Sequence, residues 1–140
     1  MRARGRLVTL LALGSVSASA ACGGTPTNPS TSPIGVWGGD HISLTITDAG
    51  SHAEFDCAHG EIPNPWVVDA RHAFTVKGTF IRDRGGPILA GEPPDSHPAE
   101  YAGSVTASTM VLTVELTDTK DAIGTFTLVR GAPGRVVKCL

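Results

Sequence analysis

The chain has 140 residues, 17% of them charged and 5% aromatic, with 11 Lys+Arg against 13 Asp+Glu for a formal net charge of −2. That length accommodates one small domain, and the acidic balance lacks the basic footprint of a nucleic-acid binder. No apolar run reaches the roughly 20 residues that a membrane-spanning helix requires.

In chain order, the first feature is a leader. Arg2, Arg4 and Arg6 precede the apolar run LVTLLALGSV (7–16), and small residues follow in SASAAC. This is the layout of a secretory signal peptide, here predicted over 1–21. Ser19-Ala20-Ala21-Cys22 resembles the lipobox of bacterial lipoproteins, although Ser19 stands where that family prefers Leu. The resemblance implies that Cys22 carries a diacylglycerol and becomes the first residue. Cleavage after Ala20 and free secretion is the alternative. Residues 23–33, GGTPTNPSTSP, carry no large apolar side chain and read as a flexible tether. The expected organisation is signal peptide 1–21, lipidated cysteine and tether 22–33, and one domain over 34–140. Loss of the three leader arginines would leave 8 basic against 13 acidic residues, a net charge of −5. Membrane attachment is therefore assigned to the lipid and not to a polybasic patch.

Cysteine count supports the same reading. Of the three, Cys22, Cys57 and Cys139, a lipidated Cys22 leaves Cys57 and Cys139 to form a disulfide in an oxidising compartment.

The domain itself is patterned with period 2. HISLTIT (41–47), HAFTVKGTF (72–80), MVLTVELT (110–117) and GTFTLVR (124–130) alternate apolar and polar residues, and EYAGSVTA (100–107) and RVVKCL (135–140) do so more weakly. DAGS (48–51), IPNP (62–65), DTKD (118–121) and GAPG (131–134) mark turns. The expected fold class is all-β, a small antiparallel meander barrel, with a β-sandwich as the alternative. Inward positions are predicted at Ile42, Leu44, Ile46, Phe55, Phe74, Val76, Phe80, Val105, Leu112, Val114, Leu116, Phe126 and Leu128. Thirteen mostly bulky side chains point to a filled interior.

RDRGGPILAGEPPDSHP (82–98) holds four prolines and three glycines and reads as one long loop. It is either a flap with Ile88 and Leu89 at its tip or a plain surface excursion. Trp66 and Tyr101 are candidates to line a ligand mouth with them.

EFDCAHG (54–60) gathers two acids, a cysteine and a histidine. Read as one strand, it sends Glu54, Asp56 and Ala58 to one face and Phe55, Cys57 and His59 to the other, which disperses the cluster. His41 and His59 could meet across strands near Asp40. No His-x-His or His-x-x-x-His pair, nucleophile motif or phosphate loop is present, so no metal, no cofactor and no catalytic residue is assigned.

Gly35-Val36-Trp37 opens the domain and Arg130 lies on a late strand. This resembles the signature of the calycin group, which includes lipocalins and avidin-like barrels. The resemblance implies that Arg130 packs on the Trp37 indole at the closed end of an up-and-down barrel, with a small ligand possible inside. The expected function is a non-enzymatic, lipid-anchored protein of the bacterial cell envelope that binds a small apolar ligand or an envelope protein. A structural module without a ligand is the alternative, and an extracytoplasmic enzyme ranks third.

Overall fold

The structure, a computed structural model, describes residues 32–87 and 89–139. The expected signal peptide, Cys22, nearly all of the tether and Ile88 lie outside the described residues.

Eight strands form a closed antiparallel barrel in simple sequence order. They are β1 (Gly35–Gly39), β2 (Ile42–Ile46), β3 (Ser51–Phe55), β4 (Ala58–Ile62), β5 (Ala73–Arg82), β6 (Asp95–Val105), β7 (Thr109–Leu116) and β8 (Ala122–Arg130). The meander is the barrel and not the sandwich. Alternation along β7, Thr109 to Leu116, places Met110, Leu112, Val114 and Leu116 inside, all with no accessible surface.

Twelve of the thirteen expected inward residues are buried, while Phe126 is only partly buried against the core. Trp37, Ala53, Ala58, Ile62, Ala99, Tyr101 and Met110 complete the core. A side chain with no accessible surface borders no space large enough for a water. Trp37, Ile42, Leu44, Tyr101, Leu112 and Leu128 are all at 0%, so the barrel axis is packed solid around them.

Three sequence expectations are corrected. First, EFDCAHG is not one strand. Asp56 and Cys57 form a two-residue turn between β3 and β4, with Phe55 paired to Ala58. Cys57 adopts φ 54°, and His41 adopts φ 66° in the matching Asp40-His41 turn between β1 and β2. Hairpins of this length usually advertise themselves by Asn-Gly or Asp-Gly. A non-glycine residue in left-handed conformation costs about 1 kcal/mol or more and leaves no such signal. Cys57 therefore sits on the turn and not beside Phe55 in the core.

Second, the long loop is shorter. β5 runs to Arg82 and β6 begins at Asp95, leaving 83–94 as the connection. Pro98 is tolerated within β6 because its nitrogen faces β7 one residue beyond the last rung, Ala99↔Leu116. Its carbonyl still accepts the Thr117 N–H at 2.9 Å.

Third, RVVKCL forms no strand over its described residues. After β8 the chain turns back as a strap across the outside of β1. Gly131 N–H bonds Val36 O, Arg135 N–H bonds Gly39 O, and His41 N–H bonds Arg135 O. Gly38 lacks a Cβ where the strap crosses, and any side chain there would overlap the Ala132 carbonyl. The strap ends on the β3–β4 turn. Val137 N–H donates to Asp56 Oδ1 at 2.7 Å, Lys138 pairs with Glu54, and Cys139 is joined to Cys57 with a Cα–Cα separation of 4.9 Å.

The β4–β5 seam has only two rungs, Ala58↔Arg82 and His59↔Ile81. Tyr101 reaches into the opening and donates its hydroxyl to Thr79 O at 2.7 Å. Burial pushes its phenol pKa well above the usual value. Gly60 makes room for that hydroxyl, and a Cβ there would also lie 2.8 Å from Thr79 O.

Two stability experiments follow from these contacts. Gly60→Ala is expected to destabilise the fold by about 2 kcal/mol through overpacking. Tyr101→Phe in that background recovers only part of the loss, since Thr79 O remains in the way; urea denaturation of both variants reads the difference. Cys57→Ser and Cys139→Ser are expected to cost similar amounts, at most about 4–5 kcal/mol each in the chain-entropy model. The double mutant then adds little, and additive losses in the same assay would argue against the bond.

Candidate functional site

The barrel has two unlike ends. At one, β1 begins and β8 finishes. Here Arg130 stacks over the Trp37 ring, with its guanidinium carbon 4.2 Å from the ring centre. Arg130 Nε donates to Ala107 O at 2.8 Å, Nη1 to Ile34 O at 2.6 Å and Nη2 to Ser32 O at 2.8 Å. Trp37 Nε1 donates to Pro33 O at 2.8 Å. One charged side chain thus ties the incoming chain, β1 and the β6–β7 turn together. The expected Trp37–Arg130 contact is present, and this end is closed.

The expected mouth residues do not converge. Trp66 lies at this closed end, in the β4–β5 connection, packed against Phe74 with the rings tilted by 52° and their centres 5.1 Å apart, and donating Nε1 to Ser51 Oγ at 2.7 Å. It borders a crevice of about 320 Å³ with Pro33, Ile34, Ile46 and Val68. Tyr101 is a core residue with no accessible surface and lines no mouth. Leu89 is 70% exposed on the loop at the opposite end. The reason is topological: β4 to β5 is joined at one end of the barrel and β5 to β6 at the other, so Trp66 and Leu89 are separated by the barrel's length.

The second end, the rim, is where the polar chemistry gathers. Arg82, Asp95 and His97 share the parity of Phe80 and Ala99 and so face the barrel mouth. His97 Nδ1 lies 2.7 Å from Asp118 Oδ2, in the β7–β8 turn, and Nε2 lies 3.1 Å from Asp95 Oδ1. Arg82 Nη1 approaches Asp95 at 3.9 Å and His97 Nε2 at 3.4 Å. Beneath this layer Phe55 meets Phe80 at 5.3 Å and Phe126 at 5.5 Å, forming an aromatic plug. The Asp118 carboxylate, then Asp95, raises the His97 pKa above its ordinary value. His97 in turn lowers that of Asp118. Both ring nitrogens of His97 are occupied by carboxylates, which suits an imidazolium clamp better than a general base.

The 83–94 loop rises from this rim. An Arg84–Glu92 ion pair closes its base. Under it opens a crevice of about 590 Å³, bordered by His59, Ile81, Arg82, Asp83, Pro93 and Asp95 among others.

A third polar group lies on the outer wall of β3 and β4. His52 Nδ1 is 2.5 Å from Glu61 and Nε2 is 2.6 Å from Glu54, while His59 Nδ1 is 2.8 Å from Asp83. The sequence signal for it was two His-x-Glu spacings, His52-Ala53-Glu54 and His59-Gly60-Glu61. The signal for the rim cluster was Asp95-x-His97, hidden inside what read as loop. Asp40, His41 and His59 form no common site. His41 contacts Asp56 at 2.5 Å, Asp40 contacts Arg135 at 2.6 Å, and His59 turns to Asp83. Among the described residues, no group of three or more His, Cys, Asp or Glu side chains is arranged to hold a metal ion.

A scan of protein-family models and searches of curated proteins and solved structures return no significant match to the chain.

The His97 clamp predicts a pH dependence. A raised histidine pKa means stability that is complete below the unfolded value of 6.5 and lost as pH rises through the folded value. The lowered Asp118 pKa means stability present above 3.8 and lost as pH falls through the folded value. Urea midpoints of native protein and His97→Gln are therefore expected to differ most between about pH 4 and 6.5, and to converge above the folded His97 pKa. A difference that stays constant to pH 8.5 would remove the clamp.

Proposed function

We propose that this chain is a non-enzymatic, lipid-anchored module of the bacterial cell envelope that binds a protein partner at its rim and not a ligand inside its barrel. One observation carries the choice of site: the axis is filled by side chains with no accessible surface, while the 83–94 loop overhangs an open crevice of about 590 Å³. Loops on a rigid scaffold are the usual bearers of recognition. Leu89 supplies an exposed apolar tip at 70% accessibility, with Arg82, Arg84, Asp83 and Glu92 around its base.

The place of the tether supports the same assignment. Ser32 and Ile34 are held at the closed end by Arg130. A chain anchored through Cys22 therefore presents its rim away from the bilayer, where a partner can reach it. A small molecule in the rim crevice is the second reading, favoured by a volume within the range of ligand pockets.

Three measurements test the proposal. Intact mass of the processed protein is expected to report lipid on Cys22, and Cys22→Ser is expected to move the protein from the membrane to the soluble fraction. A photo-crosslinking residue placed at Leu89 is expected to give protein adducts in producing cells, whereas the same residue at Val111 on the wall gives none. Adducts from Val111 alone, or from neither position, would refute rim docking.

A further inference from the structure

We infer that the closed end of the barrel is a bilayer-docking face, so that the domain sits on the membrane that anchors it. The inference rests on the lipid-anchor reading above, and it commits to one occupant, a phospholipid surface.

The first observation is where the chain leaves. Ser32 is bonded by Arg130 at the closed end. Ten Cα steps separate it from Cys22, which spans at most about 35 Å when fully extended. The closed end is thus the part of the domain nearest an anchored lipid.

The second observation is what that end exposes. Seven large apolar residues are exposed among the described residues. Four of them, Ile34, Val36, Val67 and Val129, lie at the closed end or on the wall beside it, with exposures of 43%, 48%, 68% and 49%. Val67 projects from the β4–β5 connection between half-buried Trp66 and Val68. Aromatic residues with one apolar side and one polar bond, as Trp66 has with Ser51, suit a membrane interface.

The third observation is charge. Arg82, Arg84, Glu92, Asp95, Asp118 and Lys120 crowd the rim end, together with further acids. The closed end carries Asp48, Asp69 and Arg71 in its turns and Arg130 at the end of β8; Arg130 is already bonded to three carbonyls, and Asp69 is engaged by the Arg71 and Ala73 N–H groups at 2.8 and 2.9 Å. Seating the rim on headgroups would strip water from many charges; seating the closed end strips it from few. Individually weak apolar contacts suffice, because an anchored chain holds its own docking face at high effective concentration.

The test separates docking from lipidation. The processed chain, beginning at Cys22 and with its disulfide intact, is coupled through the Cys22 thiol to maleimide-headgroup lipid in phosphatidylcholine vesicles. Chemical coupling supplies the anchor whether or not cells do. Val67→Trp and Leu89→Trp each add an indole at a site already exposed. Vesicles with brominated acyl chains are expected to quench the added emission of Val67→Trp at least threefold more than that of Leu89→Trp. Equal quenching, stronger quenching at position 89, or no quenching at position 67 would overturn the inference. Failure to find lipid on Cys22 in cells would instead sink the anchor reading and leave this result standing as a property of the surface.

Discussion

Everything in this fold depends on closing the sheet between its first and last strands. An open eight-stranded meander would leave β1 and β8 as bare edges, ready to pair with another chain. The closing seam is short, with only Trp37↔Arg130 and Gly38↔Val129 in register. Arg130 reinforces it from inside the closed end by bonding carbonyls on both sides of the seam while its plane covers the Trp37 ring. The cation is half-buried, yet three of its donors are satisfied and its face is packed, so little of its desolvation cost is left uncompensated. The strap reinforces the same seam from outside. It bridges Val36, Gly39 and His41 and is then fixed to the β3–β4 turn by Cys57–Cys139.

Closure and filling together shape what the molecule can do. A barrel of eight strands is at the size where side chains can occupy the whole interior. Trp37 and Tyr101 fill the space a ligand would need, and Phe55, Phe80 and Phe126 plug the rim. A filled interior leaves the two ends as the surfaces where the chemistry differs most sharply. The rim carries the His97 clamp, two arginines and the 83–94 loop. The closed end carries exposed aliphatic side chains beside the point where Ser32 to Ile34 lead into β1.

Legibility in the sequence followed physical locality. Alternation in MVLTVELT and HISLTIT announced strands and their buried faces because side-chain direction repeats every two residues regardless of partners. The Cys57–Cys139 pair was recoverable by counting thiols. The Trp37–Arg130 contact was recoverable through its resemblance to calycin barrels and through the inward parity of Arg130. What misled were residues whose conformation is imposed from elsewhere. His41 and Cys57 hold left-handed turns with no glycine to mark them. Pro98 looked like a loop residue because its neighbours across the ladder were unknown. Tyr101 looked like a ligand-facing aromatic because nothing local reveals that Gly60 and Thr79 leave room for its hydroxyl.

By itself the sequence determined an all-β domain of one small core and the identity of most side chains in that core. These are properties of composition and short-range periodicity, which act before any distant contact forms. Tertiary structure alone decided that the sheet closes, that the C-terminal segment is a strap and not a strand, and that Trp66 and Leu89 stand at opposite ends. It also decided that Arg82, Asp95, His97 and Asp118 meet. Each of these depends on strand register and on which connection falls at which end of the barrel, and a one-dimensional pattern carries neither.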